Sequence, residues 1–191
     1  MRFLIDIIIA VAVAVAVGVG SAWYAVGKGH VFGGVTVGAW TAWPHDGSLD
    51  ADPYALARLA RTGEIPLGAG EGLAFTATDD SDGAPLDGAC TYTVSGETPA
   101  ARLWTLTATD ADGHLMANIA NRQGITSREV VRTIDGDFSV TVAAAVQPGN
   151  WLPIAAAHRF DLVLRLYDTP LATGAQLATL TMPAISKAGC P

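Results

Sequence analysis

Positive charge is scarce in this chain. Eleven Lys and Arg stand against 18 Asp and Glu in 191 residues, for a formal net charge of −7. No two basic residues are adjacent, so the clustered Lys and Arg that a phosphate backbone requires are missing, and nucleic acid is excluded as a partner. Cysteine is nearly as rare. Cys90 and Cys190 stand alone, with no C-x-x-C and no histidine pattern beside them, which argues against zinc. The four histidines (His30, His45, His114, His158) form no i, i+4 pair. There is no G-x-S-x-G elbow, and no glycine loop opens a helix to cradle phosphate. These absences leave no metal and no cofactor to expect.

What the chain has in quantity is apolar length. From Phe3 to Val26 the only charged residue is Asp6. At about 1.5 Å per residue that stretch is long enough to cross a hydrocarbon core of about 30 Å. Trp23 and Tyr24 stand at its far end, where amphipathic rings favour the interface. Gly20-Ser21-Ala22 offers a small-residue cleavage site, but the apolar run continues past it, so an uncleaved signal-anchor over 1–27 is expected. Membrane lipid then contacts residues 3–26. Arg2 against Lys28 places the amino end in the cytoplasm and the remainder in the periplasm, as in a single-pass protein of a bacterial inner membrane. Ala10, Ala14, Gly18 and Ala22 form a small-residue stripe through which the helix can self-associate, although Val-Ala alternation produces such stripes by itself.

Residues 28–71 read as a Gly-rich extended linker carrying one helix over 52–62. Asp52 is placed to cap it, Pro53 suits its first position and Gly63 its left-handed stop. Leu56, Leu59 and Ala60 make its apolar face, with Arg58 and Arg61 toward solvent. Trp40 and Trp43 are candidates for a membrane interface or a sugar. From residue 72 to 191 strand signals recur at the spacing of a β-sandwich: near 73–78, 89–95, 102–109, 113–118, 129–134, 137–146, 159–168 and 176–182. "RLWTLTAT" and "FDLVLRLYD" both alternate with period two. In an oxidising compartment the two cysteines read as a disulfide between Cys90 and Cys190.

Two acidic stretches, Asp80-Ser81-Asp82-Gly83 and Asp110-Ala111-Asp112-Gly113, invite comparison with calcium loops. A calcium loop also supplies a bidentate Glu and further oxygens, which neither stretch does. Asp-Gly between apolar runs instead marks a hairpin turn, because the turn needs positive φ. Asp135-Gly136-Asp137 is a third case. Arg165, in mid-strand between leucines, calls for a carboxylate or carbonyl partner, with Asp110, Asp112 and Asp161 as candidates.

"PLDGACTYTV", "LWTLTATDADGHLMANIANRQGI", "DGDFSVTVAA" and "PGNWLPIAAAHRFDLVLRLYDTP" resemble, in order and spacing, the domain of unknown function 1214. That family's Trp-x-Leu-Thr strand entering an Asp-x-Asp-Gly turn falls on Trp104 to Gly113. Its Asn and Arg segment falls on Asn118 and Asn121-Arg122, its Asn-Trp-Leu-Pro corner on Asn150 to Pro153, and its closing strand on Leu164 to Tyr167. The family often has an aromatic where Thr109 stands. Longer members join it to a domain of unknown function 1254, where this chain has an anchor and a short helix. The resemblance implies an all-β, jelly-roll-like antiparallel β-sandwich in the cell envelope, with no established reaction. A binding or assembly module is the leading expectation, with a protein partner carrying the 1254 domain or an envelope glycan as its target. Asn150, Trp151 and Tyr167 are its candidate binding residues. The alternative is a hydrolase or lyase acting on an envelope polymer, which requires Asp110, Asp112, Arg122 and Arg165 to converge in one cleft.

Overall fold

The computed structural model describes residues 2–27, 33–156, 159–173 and 180–190. Helix α1 (Arg2–Gly27) is the apolar run, and none of its residues is buried. Its 26 residues extend roughly 39 Å, enough to cross a bilayer. Helix α2 (Pro53–Thr62) forms where its punctuation residues stand. The Asp52 carboxylate accepts from the N–H groups of Tyr54 and Ala55, and Gly63, at φ +70°, donates to the Leu59 carbonyl. The two helices touch, with the Arg61 guanidinium 5.0 Å from the centre of the Trp23 ring.

Among the described residues ten strands make two sheets. Their spans are β1 (Val35–Val37), β2 (Trp40–Ala42), β3 (Gly72–Ala77), β4 (Thr91–Gly96), β5 (Leu103–Thr109), β6 (Gly124–Thr126), β7 (Phe138–Ala143), β8 (Trp151–Pro153), β9 (Asp161–Tyr167) and β10 (Ala184–Gly189). The six-stranded sheet runs β1-β2-β3-β9-β5-β6 and the four-stranded sheet β10-β4-β7-β8. All pairings are antiparallel except β7 with β8. One continuous core lies between the sheets, drawing Phe75, Leu106, Leu162, Leu164 and Leu166 from the first and Tyr92, Val94, Val140, Val142 and Ile185 from the second. Side chains of this size contribute about 1.5–3 kcal/mol each on burial. The chain is an all-β sandwich behind an apolar helix. The Cys90–Cys190 disulfide forms and holds the end of β10 beside the start of β4.

Several expectations are corrected. Arg58 is buried, not solvent-facing: it bonds Asp46 at 3.2 Å and Glu64 at 2.6 Å, while Leu56 is exposed. The helix thus buries Ala55 and Arg58, the guanidinium being held between the Asp46 carboxylate and that of Glu64, just past the helix end. Trp40 is a core residue with no exposure, and its indole donates to the Pro183 carbonyl at 2.8 Å. Strands expected over 113–118 and 129–134 reduce to single bridges, Leu115 to Thr109 and Arg132 to Phe138. Residues 176–179 of the strand expected over 176–182 lie outside the described residues, as do Lys28, His30 and His158; residues 180–182 are not in a strand, and the last strand begins only at Ala184, as β10. Residues 35–42, read as linker, supply β1 and β2 to the larger sheet.

The three Asp-Gly stretches are turns. Gly83 donates to the Asp80 carbonyl, Gly113 to that of Asp110 and Gly136 to that of Thr133, and all three glycines have positive φ. Each turn is closed by one isolated bridge rather than by a long hairpin.

Candidate functional site

Alternation along β5 and β9 sends one set of side chains inward and presents the other on the outer face of the six-stranded sheet. On β5 the outward set is Leu103, Thr105, Thr107 and Thr109; on β9 it is Asp161, Val163, Arg165 and Tyr167. Strand register aligns them. Thr105 stands opposite Arg165, Thr107 opposite Val163, and across β6 Thr105 faces Thr126 while Thr107 faces Gly124. One cross-strand line runs Thr36, Thr41, Thr76, Val163, Thr107, Gly124 across the whole sheet. Gly124 is required there: a Cβ would lie 2.8 Å from the Thr107 methyl and 3.0 Å from the Leu106 carbonyl oxygen. The missing side chain leaves a trough beside the threonines.

The segment around α2 flanks one half of this face, where Trp43, Glu64, Pro66 and Leu67 share a small cleft with Ala74 and Thr76. The other half holds an open groove of about 480 Å³, lined by Thr105, Thr107, Gly124, Thr126, Arg165 and Tyr167 among others. A second depression of about 430 Å³ adjoins it, sharing Thr126 and Tyr167 and adding Arg102 and Arg128. Arg165 is half-buried. Its Nη1 donates to the Thr107 hydroxyl at 3.1 Å, and that hydroxyl lies 3.4 Å from the Val163 carbonyl. No carboxylate among the described residues comes within ion-pair distance of Arg165, so the partner expected in Asp110, Asp112 or Asp161 is replaced by a hydroxyl. Arg102 pairs with Asp168 at 3.0 Å on the exposed rim.

The four polar residues proposed for catalysis do not converge. Of them only Arg165 lines the groove. Asp110 is used by its own turn, where one carboxylate oxygen accepts from the N–H groups of Asp112 and His114 at 3.0 and 2.8 Å. Those bonds, led by the His114 N–H, hold its carboxyl below the ordinary range. Asp110, Asp112 and His114 bring possible ligand atoms within 4.8 Å of one another in this exposed turn. Arg122 is a strut: it donates to the carbonyls of Gly124 and Trp151 and pairs with Glu129, tying β6 to β8. Asn118 wraps the loop before it, bonding Met116 and both backbone groups of Arg122.

The proposed binding residues divide in the same way. Tyr167 lines both depressions. Asn150 is a bracket, its amide accepting from Val131 N and donating to the carbonyls of Val131 and Ser139. Trp151 anchors the corner by donating from its indole to the Ala143 carbonyl at 2.9 Å. Asp161 lies on the groove's face beyond Val163. Burial pushes its carboxyl above the ordinary range; the Arg159 charge pulls the other way, and Asp79 and Asp110 add to the rise. Sequence reasoning missed the threonines, Gly124, Arg128 and Arg102. The T-x-T-x-T alternation on β5 was their one visible signal, and only the cross-strand register turns it into a surface.

This fold defines a class: a two-sheet β-sandwich carried behind an apolar N-terminal helix. More narrowly, residues 71–171, over half of the chain, match the sequence profile of the family described as Protein of unknown function (DUF1214), and the chain belongs to that family. The crystal structure of the VPA0106 protein from Vibrio parahaemolyticus is similar, with a TM-score of 0.59 and 23% identity. That match covers 73% of this chain and 36% of the other. The structure of an uncharacterised protein from Burkholderia cenocepacia matches with a TM-score of 0.50 and 16% identity, over 89% of this chain and 40% of the other. This chain therefore spans well under half of either neighbour's length, and the likeness is one of fold. A search of curated proteins found no match.

Proposed function

We propose that the chain is a single-pass protein of the bacterial inner membrane whose β-sandwich stands in the periplasm and works by binding, not by catalysis. The observation that carries the binding reading is the make-up of the open groove. It offers a guanidinium, a row of hydroxyls and an aromatic ring, while none of the described side chains lining it is a carboxylate or imidazole. Carboxylates and imidazoles do most general acid–base work, and the Tyr167 phenol lines the groove with neither beside it among the described lining residues. The location reading draws support from the uncovered apolar length of α1 and from a disulfide that suits an oxidising compartment.

A companion chain carrying a domain of unknown function 1254 is the protein partner we propose, by analogy with longer family members that join the two. Self-association through Ala10, Ala14, Gly18 and Ala22 is a second route to assembly and rests on the small-residue stripe.

The test is fractionation of expressing cells followed by protease treatment. The protein should stay in carbonate-washed membranes, leave them with detergent, and lose its sandwich to protease in spheroplasts but not in intact cells. Release by carbonate, or a protected sandwich in spheroplasts, would overturn the location. Copurification of a 1254-domain companion with the full chain tests the partner.

A further inference from the structure

The groove on the outer sheet face says more about its ligand than that one exists. Three of the chain's 11 basic residues, Arg102, Arg128 and Arg165, line two depressions that share Tyr167 and Thr126, in a protein of net charge −7. Arg165 and Arg128 have no carboxylate within ion-pair distance among the described residues. A half-buried guanidinium held by a single hydroxyl keeps most of its five donors for something else, and its planar fork matches a carboxylate. Around it Thr105, Thr107 and Thr126 present hydroxyls from neighbouring strands, at cross-strand separations of about 4.5–5.5 Å. The Thr105 and Thr126 hydroxyls can each donate and accept, which suits a ligand that itself carries many hydroxyls, while that of Thr107, set between Arg165 and the Val163 carbonyl, holds the guanidinium in place. Tyr167 adds a ring with a polar tip.

A peptide fits less well. Strand addition needs free backbone groups at a sheet edge, but those of β5 and β9 are spent in the ladder, and on the edge strand β6 the Gly124 carbonyl already accepts from Arg122 and the Thr126 carbonyl from Glu129 and Val130. We infer that this face binds an acidic glycan, a sugar chain bearing carboxylates, with Arg165 at the carboxylate and Thr105 and Thr126 on the sugar hydroxyls. This deepens the binding reading above and rests on it.

The test uses the full chain in nanodiscs of neutral lipid, titrated calorimetrically with a tetra-uronate, with maltotetraose as the neutral sugar and inorganic phosphate as the bare anion. The uronate should bind and the neutral sugar should not. R165Q should weaken binding by about tenfold or more, as loss of a charged hydrogen bond does, and the isosteric T107V should weaken it by about threefold or more. T107V keeps the test open where R165Q perturbs folding. Equal binding of maltotetraose, displacement of the uronate by equimolar phosphate, unchanged affinity in both variants, or no uronate binding at millimolar concentration would each overturn the inference. Uronate binding by a protein found in the cytoplasm would leave this inference standing and sink the location proposed above.

Discussion

Asp161 shows how single residues here answer to their surroundings. Its carboxyl is raised by burial, so the folded state holds a proton more firmly than the unfolded chain does. The sign follows: its favourable contribution is full below the ordinary carboxyl range near about pH 4 and is lost as pH rises through the elevated folded value. Asp161→Asn removes the buried charge. Its Tm should exceed that of the wild type at pH 7, and the two curves should converge as pH falls into the ordinary carboxyl range in a melting series. At this scale the sequence was partly legible. Asp-Gly pairs named their own turns, and the cysteines named their bond, because each reading needs only local geometry or a single candidate partner. Arg165 and Arg58 were misjudged because their partners lie across the fold. Thr107 reaches Arg165 through the β5–β9 register, and Asp46 reaches Arg58 from a separate loop.

Among elements, the helices and the long strands were readable, since periodicity and caps act within one segment. β5 and β9 were found to within two residues at either end, and α2 began and ended as its punctuation predicts. Asp52→Ala removes both of the carboxylate's bonds to the first turn of α2 and should cost about 0.5–2 kcal/mol, read as loss of stability in urea. Strands of three residues, β1, β2, β6 and β8, were out of reach, because so short a run carries no period and owes its conformation to its neighbours. The opposite error, expecting strands over 113–118 and 129–134, has a local cause. Asn118 and Asn150 claim backbone groups in these stretches that a ladder would otherwise use.

At the scale of the whole molecule, the disulfide links residues 100 apart and pins β10, an edge strand, to β4. Closing a loop that long is worth up to about 4.7 kcal/mol in the chain-entropy model. Cys190→Ser should therefore lower Tm by about 5–10 °C and make the melt indifferent to reductant. The long apolar helix was the plainest signal in the chain, whereas the groove was invisible, since it exists only once three strands are set side by side.

The central claim is that Arg165 serves a ligand while the other polar residues singled out by the sequence hold the sandwich together. Paired thermal melts of R165Q and N150A test it most directly. Asn150 satisfies three backbone groups, so N150A should lose about 1–3 kcal/mol and melt several degrees below the wild type. R165Q gives up one bond, to the Thr107 hydroxyl, against the three lost in N150A, and its fall in Tm should be less than half as large. A fall for R165Q as large as that for N150A would make Arg165 one more strut, and the account of the open face would fail.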